Sequence, residues 1–317
     1  MSIRSVSTAE RRSRRSMTHI AATVGMVLIA TLAIAPAASA TYPDRNGLIA
    51  FQADTGTGSQ IYTVRPNGHD LRQITHLEGD ATAPDWSPDA RRIAFTFNEC
   101  SVAIMDADGS DFSLIADDQS QCLSDPSFTP DGTRLVFGHF DWLGTGADEI
   151  WSMNPDGSDK HVVTGAGNTD PNVSPDGQKL SFKDATVGAL FVQNMDGSGL
   201  GQVSPSVSVA YKSDWAPDGR RIVYSDNSEP GPNDAVNIAT VRPDGTDLRY
   251  LTHYAAPLLA WVGGYSPDGQ WIVFRLEDHG LFTLYRIRPD GTDMHPILPS
   301  STTFKPRNID WGPAAGH

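Results

Sequence analysis

The chain repeats itself, and the repeat limits the possible folds more than any other feature. Two short motifs alternate through most of its length. The first is a large residue, a small residue, Pro-Asp-Gly, then an apolar run. It reads Trp86-Ser87-Pro88-Asp89-Ala90 before Ile93-Ala94-Phe95, and Phe128-Thr129-Pro130-Asp131-Gly132 before Leu135-Val136-Phe137. It returns at Val173-Ser174-Pro175-Asp176-Gly177, Trp215-Ala216-Pro217-Asp218-Gly219 and Tyr265-Ser266-Pro267-Asp268-Gly269. The second motif is an apolar run, then x-Pro-Asp-Gly-Thr/Ser-Asp. Its copies centre on Gly68, Gly109, Gly157, Gly197, Gly245 and Gly291, at intervals of 41, 48, 40, 48 and 46 residues.

Turn chemistry explains both motifs. Proline presets φ at the second position of a type I turn, and glycine takes the left-handed conformation that lets pairing resume. Each motif is therefore a β-hairpin between short strands rich in Ile, Val, Phe, Tyr and Trp. Two hairpins make a four-stranded antiparallel unit, the blade of a propeller. Half of the first motif stands at each end of the chain. Ile309-Asp310-Trp311-Gly312-Pro313 breaks off at the turn, and Asp44-Arg45-Asn46-Gly47 leads into Leu48-Ile49-Ala50-Phe51. Joined, the halves complete a sixth copy. The expected fold is all-β: a six-bladed β-propeller of four-stranded antiparallel blades, closed by N- and C-terminal strands that share the sixth blade and leave no open sheet edge. The large residues Trp86, Phe128, Val173, Trp215, Tyr265 and Trp311 occupy equivalent positions and read as packing between blades.

The pattern W-S-P-D-G-x-x-I-A-F followed by I-Y-x-x-N-x-D-G resembles that of the TolB family and related WD-like propeller repeats, over roughly residues 44–313. The resemblance is specific for fold and not for function. It implies a bacterial propeller; TolB itself works with the Tol-Pal envelope system and carries a separate N-terminal domain. Here the repeat starts within a few residues of the expected cleavage site, so that domain is expected to be absent.

Residues 1–40 read as a signal peptide. Arg4, Arg11, Arg12, Arg14 and Arg15 are followed by an apolar run from Ile20 to Ala35 and by Ala38-Ser39-Ala40, a small-x-small cleavage signature. The apolar run is short for a membrane span of about 20 residues. Ser13-Arg14-Arg15-Ser16-Met17 resembles a twin-arginine export signal. An ordinary secretory signal with a long basic end, or a start at Met17, are the alternatives. Residues 41–317 are then the propeller, exported to the periplasm or secreted, with no transmembrane segment and expected to be monomeric. Removing the leader takes away five of the 24 Lys/Arg and one of the 38 Asp/Glu. The remaining 19 basic and 37 acidic residues give a net charge of −18. Nucleic acid is not an expected partner, because such affinity comes from cations on phosphates.

Strand direction sorts the loops. With strands a to d in each repeat, the a–b and c–d turns share one face, and the b–c and d–a loops share the other. That second face is less regular and is where binding residues are expected. Cys100 falls in a b–c loop and Cys122 in the following d–a loop, so a disulfide is expected. The same face carries His139, Asp141 and Trp142 in one loop, with His253 and Tyr254 in another that runs to Trp261. Asp278 and His279 sit in a third, and His76 and Glu78 in a fourth. An aromatic beside polar groups suits a sugar or a protein hot spot; the plainer reading is that these aromatics roof the blades. His139, His253 and His279, with Asp141 or Asp278, are a candidate metal set that no close spacing supports, and neither metal nor cofactor is expected. Asp106-Ala107-Asp108-Gly109-Ser110-Asp111 lacks the spacing of a calcium loop, and Asp-Gly recurs in the sister repeats for turn reasons.

No G-x-S-x-G, H-E-x-x-H or P-loop occurs. The expected function is non-catalytic binding of a protein or cell-envelope ligand. The alternative is a metal-dependent propeller enzyme of lyase, glycosidase or lactonase type, with its site on the irregular face.

Overall fold

The structure, a computed structural model, describes residues 46–54, 56, 58–117, 121–140, 148–165, 168–184, 186–205, 209–227 and 235–315. Residues 1–40, the expected signal peptide, lie outside them. Strands β1 (Asn46–Asp54), β2 (Ser59–Val64) and β3 (Arg72–Gln73) open the chain. Blade 2 is β4 (Ala81–Trp86), β5 (Arg92–Phe97), β6 (Ser101–Asp106) and β7 (Ser113–Asp117). Blade 3 is β8 (Cys122–Phe128), β9 (Leu135–Phe140), β10 (Glu149–Met153) and β11 (His161–Thr164). Blade 4 is β12 (Asn168–Val173), β13 (Lys179–Asp184), β14 (Ala189–Asn194) and β15 (Gly201–Gln202). Blade 5 is β16 (Val209–Trp215), β17 (Ile222–Asp226), β18 (Asn237–Val241) and β19 (Arg249–Tyr250). Blade 6 is β20 (Leu259–Tyr265), β21 (Ile272–Asp278), β22 (Leu281–Ile287) and β23 (His295–Pro296). The last strand, β24 (Arg307–Pro313), pairs with β1 and completes blade 1 in the order β24-β1-β2-β3. Ile49 lies opposite Trp311, so the two ends of the chain close the ring.

The turns follow from their residues. In blade 2 the Ser87 hydroxyl donates to Asp89 Oδ1 and accepts from the Arg92 N–H, while Ala90 N–H donates to Ser87 O. Ala90 takes φ 59°, the left-handed value that Gly132, Gly177, Gly219 and Gly269 take in the sister turns. In the second motif Asp108 Oδ1 accepts from both the N–H and the hydroxyl of Ser110, and Asp156, Asp196, Asp244 and Asp290 do the same. These aspartates are committed to turns. A Cβ on Gly109 would collide with the Ile74 carbonyl oxygen, so this turn also seats against the preceding blade.

The innermost strands are β24, β4, β8, β12, β16 and β20, which contact one another around the axis. Trp86, Phe128, Val173, Trp215, Tyr265 and Trp311, at their ends, are all buried. Each of these strands carries a register shift against its partner. At the bulge, three residues before the large residue, Ala83, Asp125, Asp170 and Asn308 are left-handed, with φ between 44° and 53°. A bulge leaves an N–H without its ladder partner. Here the preceding blade supplies one: Ala83 N–H donates to Gln52 Oε1, Asp125 N–H to Thr96 Oγ1 and Val262 N–H to Ser225 Oγ. A second link lies at the large residue itself. Trp86 N–H donates to Asp310 Oδ2, Phe128 N–H to Asp85 Oδ2 and Tyr265 N–H to Asp214 Oδ2.

Cys100 and Cys122 form a disulfide, 22 residues apart, between the β5–β6 turn of blade 2 and the start of β8 in blade 3. Among the described residues no helix is long and apolar enough to cross a membrane.

Two outcomes follow for urea unfolding. Asp310→Ala orphans the Trp86 N–H and is expected to lose about 1–3 kcal/mol, most of which Asp310→Asn restores. Cys122→Ser is expected to lose about 3 kcal/mol through loop entropy, and wild-type protein should resist thiol alkylation until it is reduced.

Candidate functional site

The bulges decide what faces the axis. Turning the chain at the third residue before the large one aims Asp125, Asp170 and Asn308 inward, together with Lys212 from the equivalent position of β16. With Asp85 and Ser213 they line a narrow channel. The channel opens on the face of the b–c and d–a loops into a funnel of about 720 Å3. The funnel shares Asp125, Asp170, Lys212 and Asn308 with the channel and adds Phe140, Lys183, Trp261, Arg275, Glu277 and Arg307.

Charge is arranged unevenly on this wall. Lys212 of blade 5 donates to Ile309 O of blade 1 at 2.9 Å. Arg275 is 7% exposed and lies 5.5 Å from the ring centres of both Trp261 and Phe282. It donates to Pro306 O at 3.4 Å and is 3.7 Å from Glu277. Burial lowers its pKa to about 10, against the opposing pull of Glu277, so it remains a cation at neutral pH. The aspartates are displaced the other way. Burial, and next the Asp125 charge, raise Asp170 to about 7. Burial raises Asp214 to about 7 even though it accepts the Tyr265 N–H. Asp85 and Asp125 are raised as well, chiefly by burial. Aspartates whose burial favours the protonated form, beside fixed cations, make a mouth able to bind both hydrogen-bond donors and acceptors, with Trp261 as an aromatic platform.

The residues singled out in the sequence are scattered. Trp261 lines the funnel. His139 is buried and stacks on Trp151, ring centres 4.6 Å apart. Asp141 and Trp142 lie outside the described residues. Tyr254 is half-buried; its N–H donates to Asn237 Oδ1 and its hydroxyl lies 3.4 Å from Met294 Sδ, while burial raises its phenol pKa. His253 is exposed beside Tyr250. Asp278 and His279 pair with each other, exposed, at the β21–β22 turn. His139, His253 and His279 do not gather: among the described residues no group of three His, Cys, Asp or Glu is placed to hold a metal ion. The funnel residues that loop inspection passed over, Asp125, Asp170, Lys183, Lys212 and Arg275, sit on strands. Their signal was available in the repeat, since Asp125-Pro126 and Asp170-Pro171 occupy the same place three residues before the large one.

Comparison with known proteins gives a consistent likeness. A family model described as the TolB beta propeller domain matches residues 98–314. A TolB homolog of Chlorobium luteolum is 27% identical over 201 residues, 62% of this chain and 45% of that protein. The chain spans about half the length of the curated relatives it matches first. The crystal structure of TolB from Acinetobacter baumannii superposes with a TM-score of 0.70 at 19% identity, covering 84% of this chain and 67% of that one. An oligogalacturonate lyase from Vibrio parahaemolyticus gives 0.55 at 16% identity, covering 80% of this chain and 74% of that one. At such identities both structures share the fold alone.

The raised aspartates set a pH dependence. An unfolded carboxyl titrates near 3.9, and Asp170 and Asp214 near 7 in the fold. The folded state therefore holds more protons between these values, and stability falls as pH rises. Their contribution is complete below about pH 4 and lost as pH passes about 7. Asp214→Asn keeps an acceptor for Tyr265 N–H and removes the titration. The urea midpoint should drop less from pH 5 to pH 8 in this variant than in wild type; an equal drop would refute the assignment.

Proposed function

Because the chain belongs to the TolB β-propeller family, we propose that it is an exported, non-catalytic binding module whose funnel receives a protein or cell-envelope ligand. The observation that carries this reading is the funnel itself. Its wall holds a buried, aromatic-flanked arginine, two lysines and partly protonated aspartates around about 720 Å3, a setting for side-chain recognition. Arg and Trp, desolvated in a well-packed pocket, are the residue types that dominate binding energy at protein interfaces.

Export supports this setting. The basic, apolar and small-x-small order of residues 1–40 fits a cleaved leader, and the Cys100–Cys122 bond fits an oxidising compartment. The mature propeller would act in the periplasm or outside the cell as a monomer, with the twin-arginine pair at Arg14-Arg15 as its route. A charge of −18 at residues 41–317 would favour partners with cationic surfaces, and it turns nucleic acid away. Asp278, His279, His253 and Tyr254 lie on the funnel's face and would widen contact with a large partner.

The test is a pull-down from cell-envelope extract with mature wild-type protein, followed by calorimetry on the recovered partner. Trp261→Ala and Lys183→Glu are expected to weaken that partner by at least about tenfold, or about 1.4 kcal/mol, without changing the unfolding curve beyond the local loss of packing. A partner retained equally by both variants would remove the funnel from the interface. Metal analysis of the same preparation bears on the enzymatic reading: a stoichiometric metal would favour it over binding alone.

A further inference from the structure

On the face opposite the funnel, the two turns of blade 5 border a hollow of about 580 Å3 lined by Arg220, Arg221, Arg242 and Arg249 with Asp218, Asp244 and Asp247. Four guanidinium groups in one place are unexpected on a chain whose acidic residues outnumber its basic ones, 38 to 24. The repeat supplies an internal control for what the fold requires there. Arg221 has a structural duty that Arg134 also performs in blade 3. Each reaches from the second strand to the aspartate after the second turn: Arg221 to Asp247 and Arg134 to Asp159, both at 2.8 Å.

Arg249 also pairs with Asp247, and Arg242 only approaches it, as Arg288 approaches Asp293 in blade 6; Arg220 makes no contact with that aspartate. Arg220 stands where sister blades have Arg91, Thr133, Gln178 and Gln270. Arg242 stands where they have Arg65, Asp106, Asn154, Asn194 and Arg288, and Arg249 where they have Arg72, Ser113, His161, Gly201 and His295. Every one of these replacements supports the same turn, so the fold does not need arginine at these positions. Blade 5 alone has arginine at all three.

The local hydrogen bonds leave two of the cations in reserve. Asp247 takes Arg221 and Arg249, the latter through both carboxylate oxygens, at 2.8 and 3.0 Å. Its carboxyl is held below the usual range, first by the Arg249 hydrogen bond. Arg242 approaches the same carboxylate only to 3.5 Å and Arg220 approaches Asp218 only to 3.8 Å. Among the described residues, neither donates a side-chain hydrogen bond, and their side chains are 56% and 84% exposed. Asp244, at the same turn, spends Oδ1 on Thr246. Two guanidinium forks, pre-placed on tight turns and facing a common hollow, match an anion with several oxygens better than a single carboxylate.

We propose that this blade 5 hollow is a phosphoryl-binding site, in which Arg220 and Arg242 grip a phosphate group while Arg221 and Arg249 hold Asp247 out of its way. The phosphate can belong to free phosphate or to a phospholipid headgroup. The site is separate from the funnel, on the opposite face and at the turns of one blade.

The test uses mature wild-type protein at low ionic strength. Inorganic phosphate is titrated by calorimetry, with acetate as the carboxylate comparison. Vesicles of phosphatidic acid in phosphatidylcholine are sedimented with the protein, against vesicles of phosphatidylcholine alone. Arg220→Ala and Arg242→Ala should each weaken binding about tenfold, the loss of one charge-assisted contact. Asp218→Asn, which removes a competing carboxylate, should strengthen it. Arg91→Ala and Arg65→Ala, at the matching positions of blades 2 and 1, should leave it unchanged. Phosphate binding with this pattern identifies the free anion, and vesicle binding alone with this pattern identifies the lipid. No binding of either probe, acetate bound as well as phosphate, or binding indifferent to Arg220 and Arg242 overturns the proposal.

Discussion

Three of the innermost strands, β4, β8 and β20, are tied to the blade before them by their own backbone. A bulge takes one N–H out of the ladder, and the large residue that ends the strand offers another. Gln52, Thr96 and Ser225 take the first kind, and Asp310, Asp85 and Asp214 take the second. An unpaired buried N–H costs about as much as the hydrogen bond it loses, so these links fix how neighbouring blades sit on one another. Apolar packing between blades supplies most of the burial but is not directional. The links supply direction, and the pairing of Ile49 with Trp311 carries the chain's two ends into the same arrangement.

The same constraint gives the axis its chemistry. The bulge that frees an N–H also turns Asp125, Asp170 and Asn308 toward the centre. Burial then makes ionisation unfavourable, and the carboxyls hold their protons to higher pH than in water. Lys212 lies among them and reaches Ile309 O of blade 1, offsetting negative charge where several carboxyls converge. The polar channel thus results from blade assembly, and the funnel above it adds the side chains of Trp261 and Lys183 to that wall.

Much of this architecture was legible in the sequence. Turn chemistry is local: a Ser-Pro-Asp-Gly run carries its own hydrogen bonds, so the hairpins, the six copies and the broken copy shared by the termini could be read from residues alone. Cys100 and Cys122 could be brought together because strand direction places both on one end of the blade. The funnel was not legible by the same route. Loops were searched because loops usually carry sites, yet His139, in the region chosen, packs under Trp151, and Asp278 turns to His279. The residues that line the axis are on strands, and what turns them inward is a bulge, marked in blades 2, 3 and 4 only by the proline that follows the left-handed residue, at Ala83-Pro84, Asp125-Pro126 and Asp170-Pro171.

A repeat protein nevertheless holds the means of separating structure from function inside one chain. Positions that the fold requires recur in kind: Asp156, Asp196, Asp244 and Asp290 all cap the same turn, and the buried large residue recurs in every blade. Positions the fold leaves open vary, and a departure confined to one blade cannot be explained by the turn or the sheet. Blade 5 departs twice, once toward the axis with Lys212 and once on the opposite face with Arg220, Arg242 and Arg249. In both places the departure adds positive charge to a strongly acidic chain. Cations on such a chain act against a negative background that draws in their counter-charges, so one that stays weakly paired, as Arg220 does with Asp218 at 3.8 Å, keeps its hydrogen-bonding capacity for something the fold does not supply.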